Sequence, residues 1–239
     1  MRKLSDDQVE AFDTDYVDGA RWLTVTARVD AEFPSGEFTF LDLGGGNGRF
    51  ADKLLTRYPR AVGCVVDNSE LLLSRNVPND RKEICCESIG SLSRHDKKYD
   101  LVCVHWVLHH LVGESYRATR RHQLDALQDI RRLLTARGRI SMFENNYSGW
   151  IFEDLPGRLI FFITSSKWLA RVTRAMGANT GGVGVSFHSR SEWLETISRA
   201  MLVLREYNEP DPWTWPVSAL RRLVLHLRQI RVGHYWLGV

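Results

Sequence analysis

Apolar residues in this chain fall into short unbroken runs that alternate with stretches of helical spacing. The runs are Phe38 to Leu43, Ala61 to Val66, Glu83 to Ser88, Tyr99 to Val104 and Arg139 to Phe143. Runs of this length, apolar on successive positions, predict strands buried on both faces. Helical spacing occupies Ala51 to about Tyr58, Ser69 to Asn76, and a long stretch carrying Gln123, Leu124, Leu127, Ile130, Leu133 and Leu134. A less regular version spans residues 13 to 32 and ends at the breaker cluster Phe33-Pro34-Ser35-Gly36. Pro59 stops the first of the inner helices, and Ala136-Arg137-Gly138 reads as the stop of the long one. Strands alternating with helices predict an α/β fold with a doubly wound, mostly parallel sheet.

The first strand breaks into Gly44-Gly45-Gly46-Asn47-Gly48 before its helix begins. Glycine is required there if the backbone takes positive φ and a ligand approaches main-chain atoms without a Cβ in the way. The free N–H groups of the next helix then face whatever polar group sits in the turn. Spacing excludes two nucleotide sites, because a dinucleotide fingerprint needs glycine where Arg49 stands and a P-loop needs Gly-Lys-Ser/Thr. What remains is Asp42-x-Gly44-x-Gly46-x-Gly48. The second strand ends in Asp67, about twenty residues on, where a carboxylate beside the turn can accept both hydroxyls of a ribose. The competing role for Asp67 is to cap the helix starting near Ser69.

At 239 residues, 44% hydrophobic, the chain suits one large domain. No apolar leader opens it and no apolar run approaches bilayer length, so a soluble, cytoplasmic protein is expected. Cys64, Cys85, Cys86 and Cys103 lie in strand-like runs without a Cys-x-x-Cys pair, which suggests reduced core thiols and no metal site. The net charge of +3, from 32 basic and 29 acidic residues, does not call for a nucleic acid. Arg117, Arg120, Arg121, Arg131, Arg132, Arg137 and Arg139 cluster on the long helix and its exit, and are read first as a solvated face.

Taken together, Leu41-Asp-Leu-Gly-Gly-Gly-Asn-Gly48, Val65-Val-Asp67, Tyr99-Asp-Leu-Val-Cys-Val104, Val107-Leu-His-His-Leu111 and Leu134-Thr-Ala-Arg-Gly-Arg-Ile140 resemble the class I S-adenosylmethionine-dependent methyltransferases, in their small-molecule branch. The resemblance implies a seven-stranded sheet with Val203 to Tyr207 and His234 to Gly238 as strands six and seven, the last inserted antiparallel. It implies S-adenosyl-L-methionine as cofactor and S-adenosyl-L-homocysteine as product. Asp42, Gly44, Gly45, Gly46, Asn47 and Gly48 would line the methionine part, Asp67 and Asn68 the ribose. Ser88 and Ile89 would flank the adenine, although an Asp is usual at that exit and Glu87 sits one place early. His105 would lie near the transferred methyl group.

The implied organisation is one domain over residues 1–239. An N-terminal helical cap covers 1–36, a cofactor-binding core 37–146, an α-helical lid over the acceptor 147–200, and the last two strands 201–239. The lid is rich in aromatics (Trp150, Phe152, Phe161, Phe162, Trp168, Phe187, Trp193), has a glycine-rich turn at Gly177 to Gly184, and is followed by Trp213 and Trp215. Ser218 to Arg231 is amphipathic and basic. A helix packed on the sheet between strands six and seven explains it more simply than contact with an anionic membrane.

Methyl transfer to a hydroxyl or a protonated amine needs a base, and His105, His109 and Glu144 are the candidates, the histidines ranking first because their ordinary pKa suits proton removal near neutrality. The expected partner is a small, largely apolar or planar acceptor, with a homodimer left open. Two other functions remain open: a non-catalytic cofactor-binding scaffold, and a nucleic-acid methyltransferase using the arginine-rich helix.

Overall fold

The computed structural model describes residues 14–94, 96–175, 180–211 and 217–239. Residues 177–179 of the glycine-rich turn, Trp213 and Trp215 lie outside the described residues, as does the start of the predicted N-terminal cap. The strands are β1 (Thr39–Leu43), β2 (Val62–Asp67), β3 (Lys82–Cys86), β4 (Tyr99–His105), β5 (Leu134–Gly149), β6 (Val203–Asn208) and β7 (Leu227–Gly238). They form one seven-stranded sheet in the order β3-β2-β1-β4-β5-β7-β6. β1 to β5 pair in parallel, while β7 runs antiparallel to both β5 and β6. The doubly wound, mostly parallel sheet with its antiparallel last strand is the one the sequence predicts.

Period-two alternation sorts each strand between two cores. Leu41, Leu43, Val102, Val104, Ile140 and Met142 face one side, where Leu124, Leu127 and Ile130 of α4 (Tyr116–Arg132) and Trp193 and Ile197 of α7 (Arg190–Arg199) cover them. Phe40, Leu101, Cys103, Phe143 and Trp236 face the other, under Val25 and Val29 of α1 (Gly19–Glu32) and Phe50, Leu54 and Leu55 of α2 (Arg49–Arg57). The remaining helices are α3 (Glu70–Leu73), α5 (Leu155–Ser165), α6 (Ala170–Ala175) and α8 (Ala219–Val224). Ser115 caps α4 by accepting from Ala118 N, and Ser189 with Glu192 forms a capping box on α7.

Several boundaries differ from the sequence reading. The first helix starts at Gly19, because Thr14 to Asp18 runs irregularly with Val17 buried and its N–H donating to Asp15. β3 ends at Cys86, and Glu87 instead donates its N–H to Asp67 O. The helix at Ser69 is short, since Asn76 folds back to donate to Leu73 O and Gly46 O.

β5 runs from Leu134 to Gly149, so Ala136-Arg137-Gly138 belongs to the strand and ends no helix. The antiparallel ladder with β7 holds it extended as far as the Gly149↔Leu227 pair. The amphipathic stretch Ser218 to Arg231 therefore splits. α8 ends at Val224, His226 takes a left-handed φ of 53°, and Leu227 opens β7.

Six of the seven clustered arginines of α4 and its exit are engaged. Arg120 pairs with Glu192 and Glu195, Arg121 with Asp125, Arg132 with Asp129, Arg137 with Asp100 and Arg139 with Glu32, while Arg131 donates to Met201 O. Among the described residues, no helix is long and apolar enough to cross a membrane.

Candidate active site

The carboxyl ends of β1, β2 and β4 meet at the glycine turn. Gly44, Gly46 and Gly48 have φ of 69°, 48° and 74°, a region closed to most side chains. Space closes the turn as well. A Cβ on Gly44 would come within 2.4 Å of Val107 Cγ2, on Gly45 within 2.5 Å of Asp42 Oδ2, and on Gly48 within 1.9 Å of Asn76 Oδ1. Gly46 is different, because its added Cβ would meet only Leu72 Cδ1 at 3.2 Å and would reach to 3.9 Å from Asp67 Oδ2. Gly46 thus borders the space over the Asp67 carboxylate.

Asp67 Oδ2 accepts from Gly46 N at 3.1 Å and Oδ1 from Ser69 N at 2.9 Å. Asp67 thus ties the turn to the start of α3, whose N-cap is Ser69 rather than Asp67, and it sits beside the glycines. Its side chain is half-buried, and burial raises its pKa against the lowering effect of the Ser69, Gly46 and Asn68 amides. These amides leave it further lone pairs for hydroxyl donors. The turn and the carboxylate therefore fit the methionine and ribose parts of S-adenosylmethionine.

Asp42 is placed differently, buried beneath the turn with Oδ2 unpartnered. Burial, reinforced by the nearby Asp67 charge, pushes it up to about 7. Asn47 is buried and accepts from Arg49 N, while Asn68 is exposed beside Asp67. At the β3 exit Ser88 Oγ accepts from Gly90 N and Ile89 enters the core.

The two leading histidines have separate surroundings. His105, at the end of β4, lies edge-on to Phe50 (4.7 Å between ring centres), the second residue of α2, and against Phe143. Its Nε2 lies 3.0 Å from Ser141 Oγ, which lies 3.0 Å from His234 Nε2. Ser141 has one proton to donate, so only one of the two imidazoles can accept from it. His234 Nδ1 is buried without a partner, and a proton there would be an orphaned donor. The favoured arrangement has His234 Nε2–H donating to Ser141 and Ser141 donating to His105 Nε2, which leaves the His105 proton on Nδ1. Burial, then the neighbouring His234, lowers His105 to about 3.

His109 lies on the 3-10 turn Leu108–His110 after β4. Its Nδ1 is 2.7 Å from Glu144 Oε2, and Glu144 Oε1 accepts from Leu108 N at 2.9 Å and His109 N at 3.4 Å. The carboxylate accepts, so His109 carries its proton on Nδ1 and presents a bare Nε2. The ring lies 4.8 Å from Phe187 and 4.1 Å from His110, which burial and His109 hold well below the ordinary histidine value.

The 3-10 turn is clamped from the other side by Gln123, whose Nε2 donates to Leu108 O and Ser186 O and whose Oε1 lies 2.5 Å from His188 Nε2. Ser186 N also donates to His109 O. Between the histidines, Trp106 has a positive φ of 55°, stacks on Phe143 and donates Nε1–H to Asn145 Oδ1. Arg21 of α1 lies over the Trp106 indole and pairs with Asp211.

Sequence reasoning missed Ser141, His234, Gln123, Asn76 and the buried Lys82, whose Nζ pairs with Asp52. All of them support the site from other elements, and none carries a local motif. Among the described residues, no three His, Cys, Asp or Glu side chains gather as a metal-ligand set.

A methyltransferase-domain family model matches residues 41–142, from the strand that leads into the glycine turn to the middle of β5. That segment is similar to a methyltransferase domain, and it holds the glycine turn, Asp67 and both leading histidines. No curated protein matches its sequence. Similar solved structures include CalO1, a methyltransferase in calicheamicin biosynthesis in its SAH-bound form, at 16% identity and a TM-score of 0.52, covering 98% of this chain and 58% of that one. LepI in complex with SAM gives 15% identity and 0.60, covering 98% and 51%. A pericyclic reaction enzyme gives 16% and 0.55, covering 96% and 57%. This chain thus spans little more than half the length of these neighbours.

Proposed function

We propose that this protein moves a methyl group from S-adenosylmethionine to an oxygen or nitrogen of a small, planar or apolar organic acceptor, releasing S-adenosylhomocysteine. The observation that carries the reading is the His109–Glu144 pair at the carboxyl edge of the sheet, with Nε2 left as the proton acceptor. The cofactor supplies a methyl already activated on a sulfonium, so the protein's tasks are alignment and removal of the acceptor's proton. Gly44 to Gly48 and Asp67 hold the cofactor, with Ser88 and Ile89 toward its adenine. His109 takes the proton. Glu144 positions it, fixing the tautomer and stabilising the imidazolium that forms. His105 lies beside the methyl group as a neutral Nδ1–H donor, since a group that protonates only near pH 3 is a weak base at neutrality.

Residues 147–200 supply the acceptor's surroundings in this reading. Phe187 lies against both His109 and, stacked at 4.3 Å, Tyr147, while Tyr116 meets Phe161 edge-on. Aromatic walls of this kind suit a planar acceptor.

A second reading is favoured by the similarity to a pericyclic reaction enzyme, because one fold hosts unrelated chemistries. There the cofactor would be bound without transfer. Incubation with S-adenosylmethionine and a panel of phenols, enols and aromatic amines separates the two. The methyl-transfer reading expects S-adenosylhomocysteine in step with a methylated product; tight cofactor binding without S-adenosylhomocysteine would favour the scaffold.

A further inference from the structure

The last β4–β5 pair is His105↔Phe143, yet the β5–β7 ladder continues to Gly149↔Leu227. At roughly 3.3 Å per residue, this two-stranded arm extends about 20 Å past the end of β4. Its inner side chains, Tyr147, Leu227 and Ile230, form a small core with Ile160, Phe187, Val217 and Leu225. Its tip does not. Trp150, Ile151 and Phe152 are 61%, 80% and 66% exposed, held there because the Ile151 and Phe152 amides donate to the His226 ring.

Beside the tip stands α8, none of whose residues is buried. Leu220, Leu223 and Val224 occupy one face at i, i+3 and i+4, all exposed. The expected packing of this helix on the sheet is therefore absent. Around the apolar face lie Arg221, Arg222 and Arg228, none of which meets a carboxylate among the described residues. The acidic side chains that follow the tip, Glu153 and Asp154, accept from the Ser191 and Ser189 hydroxyls, which hold them toward α7.

We propose that the arm tip and α8 form a docking surface for an anionic lipid bilayer, with Trp150, Ile151, Phe152, Leu220, Leu223 and Val224 entering the headgroup boundary and Arg221, Arg222 and Arg228 meeting lipid phosphates. Charge selects this occupant. Arginines that meet no carboxylate among the described residues, set around exposed tryptophan, phenylalanine and aliphatic side chains, match an anionic interface. A projecting tip enters a deformable bilayer, whereas a second copy of this chain would set the same arginines against one another. The tip residues and α8 include none of the glycine turn or the candidate base, so the proposal goes beyond methyl transfer and is tested without an acceptor.

The test is co-sedimentation of the full chain with vesicles of phosphatidylcholine alone and with added phosphatidylglycerol. Binding is expected only with phosphatidylglycerol, falling as salt rises. Arg221→Gln with Arg222→Gln lowers the partition coefficient about 25-fold, at about fivefold per charge near the surface. Ile151→Ser with Leu223→Ser reduces it to background, while circular dichroism and S-adenosylmethionine affinity stay unchanged. Failure of the native chain to bind anionic vesicles at low salt would overturn the proposal, as would equal binding by the variants. Concentration-dependent dimerisation abolished by Leu223→Ser, without vesicle binding, would assign the face to self-association instead.

Discussion

His109 Nδ1 lies 2.7 Å from Glu144 Oε2, and the other oxygen of the same carboxylate receives the backbone amides of Leu108 and His109. One buried side chain thus sets both the ring's tautomer and the course of the turn that carries it. His109→Ala is expected to lower turnover by about 10²–10⁴ while cofactor affinity in calorimetry stays unchanged. Glu144→Gln, which keeps an oxygen for the amides, should lower turnover with less loss of stability than Glu144→Ala. The latter leaves buried donors unsatisfied, at about 1–3 kcal/mol each. Full turnover in His109→Ala would remove the base from this residue.

Asp67→Ala should weaken S-adenosylmethionine binding sharply with the fold intact. Gly46→Ala should do so with a cost of about 1–2 kcal/mol in stability, because its left-handed φ opposes a side chain and only the end of the Leu72 side chain, at 3.2 Å, has to give way. Gly48→Ala should unfold more readily, since its Cβ would overlap Asn76. Calorimetry with thermal denaturation distinguishes the three, and unchanged affinity in both Asp67→Ala and Gly46→Ala would move the cofactor elsewhere.

The turn was legible from the chain because everything that defines it is local: alternating glycines, a strand before, a carboxylate at the next strand's end. The candidate base was half legible. His109 and Glu144 could be named, but their pairing depends on β4 and β5 being neighbours with a particular register. Ser141 and His234 were invisible, being 93 residues apart and joined only where β7 enters beside β5. Ala136-Arg137-Gly138 looked like a helix stop because local propensity carries no trace of the β7 ladder.

Asp42 gives the ligand-free protein a pH dependence of definite sign. Its carboxyl is raised to about 7 in the fold from 3.8, so its contribution to stability is full below about pH 4 and is lost as pH rises through 7. The loss is on the order of 4 kcal/mol at roughly 1.36 per unit. Asp42→Asn should therefore be more stable than the native chain at pH 8 and should lose that advantage toward pH 4. Denaturant melts of both at several pH values measure it; parallel curves would place the raised carboxyl elsewhere.

His105 and His234 act with the opposite sign. Both are lowered to about 3, by burial first and then by nearby positive charge, so they remain neutral in the fold and charge on unfolding. Their contribution is present above about pH 6.5 and is lost as pH falls toward 3. Nitrogen-15 spectra should show His105 protonated on Nδ1 across pH 5 to 8, and Ser141→Ala should release that tautomer preference. An Nε2–H signal for His105 in the native chain would reverse the relay.

β5 and β7 are neighbours in the sheet, yet residues 150–226, β6 among them, separate them along the chain. During synthesis β5 must wait with one long edge open until β7 emerges, and β6 has nothing to pair with before then. Closure of the sheet is accordingly a late, long-range event, the kind that folds slowly and offers an unpaired strand to other chains meanwhile. Chains cut before Leu227 would keep the glycine turn and its carboxylate, and would be expected to aggregate through that edge.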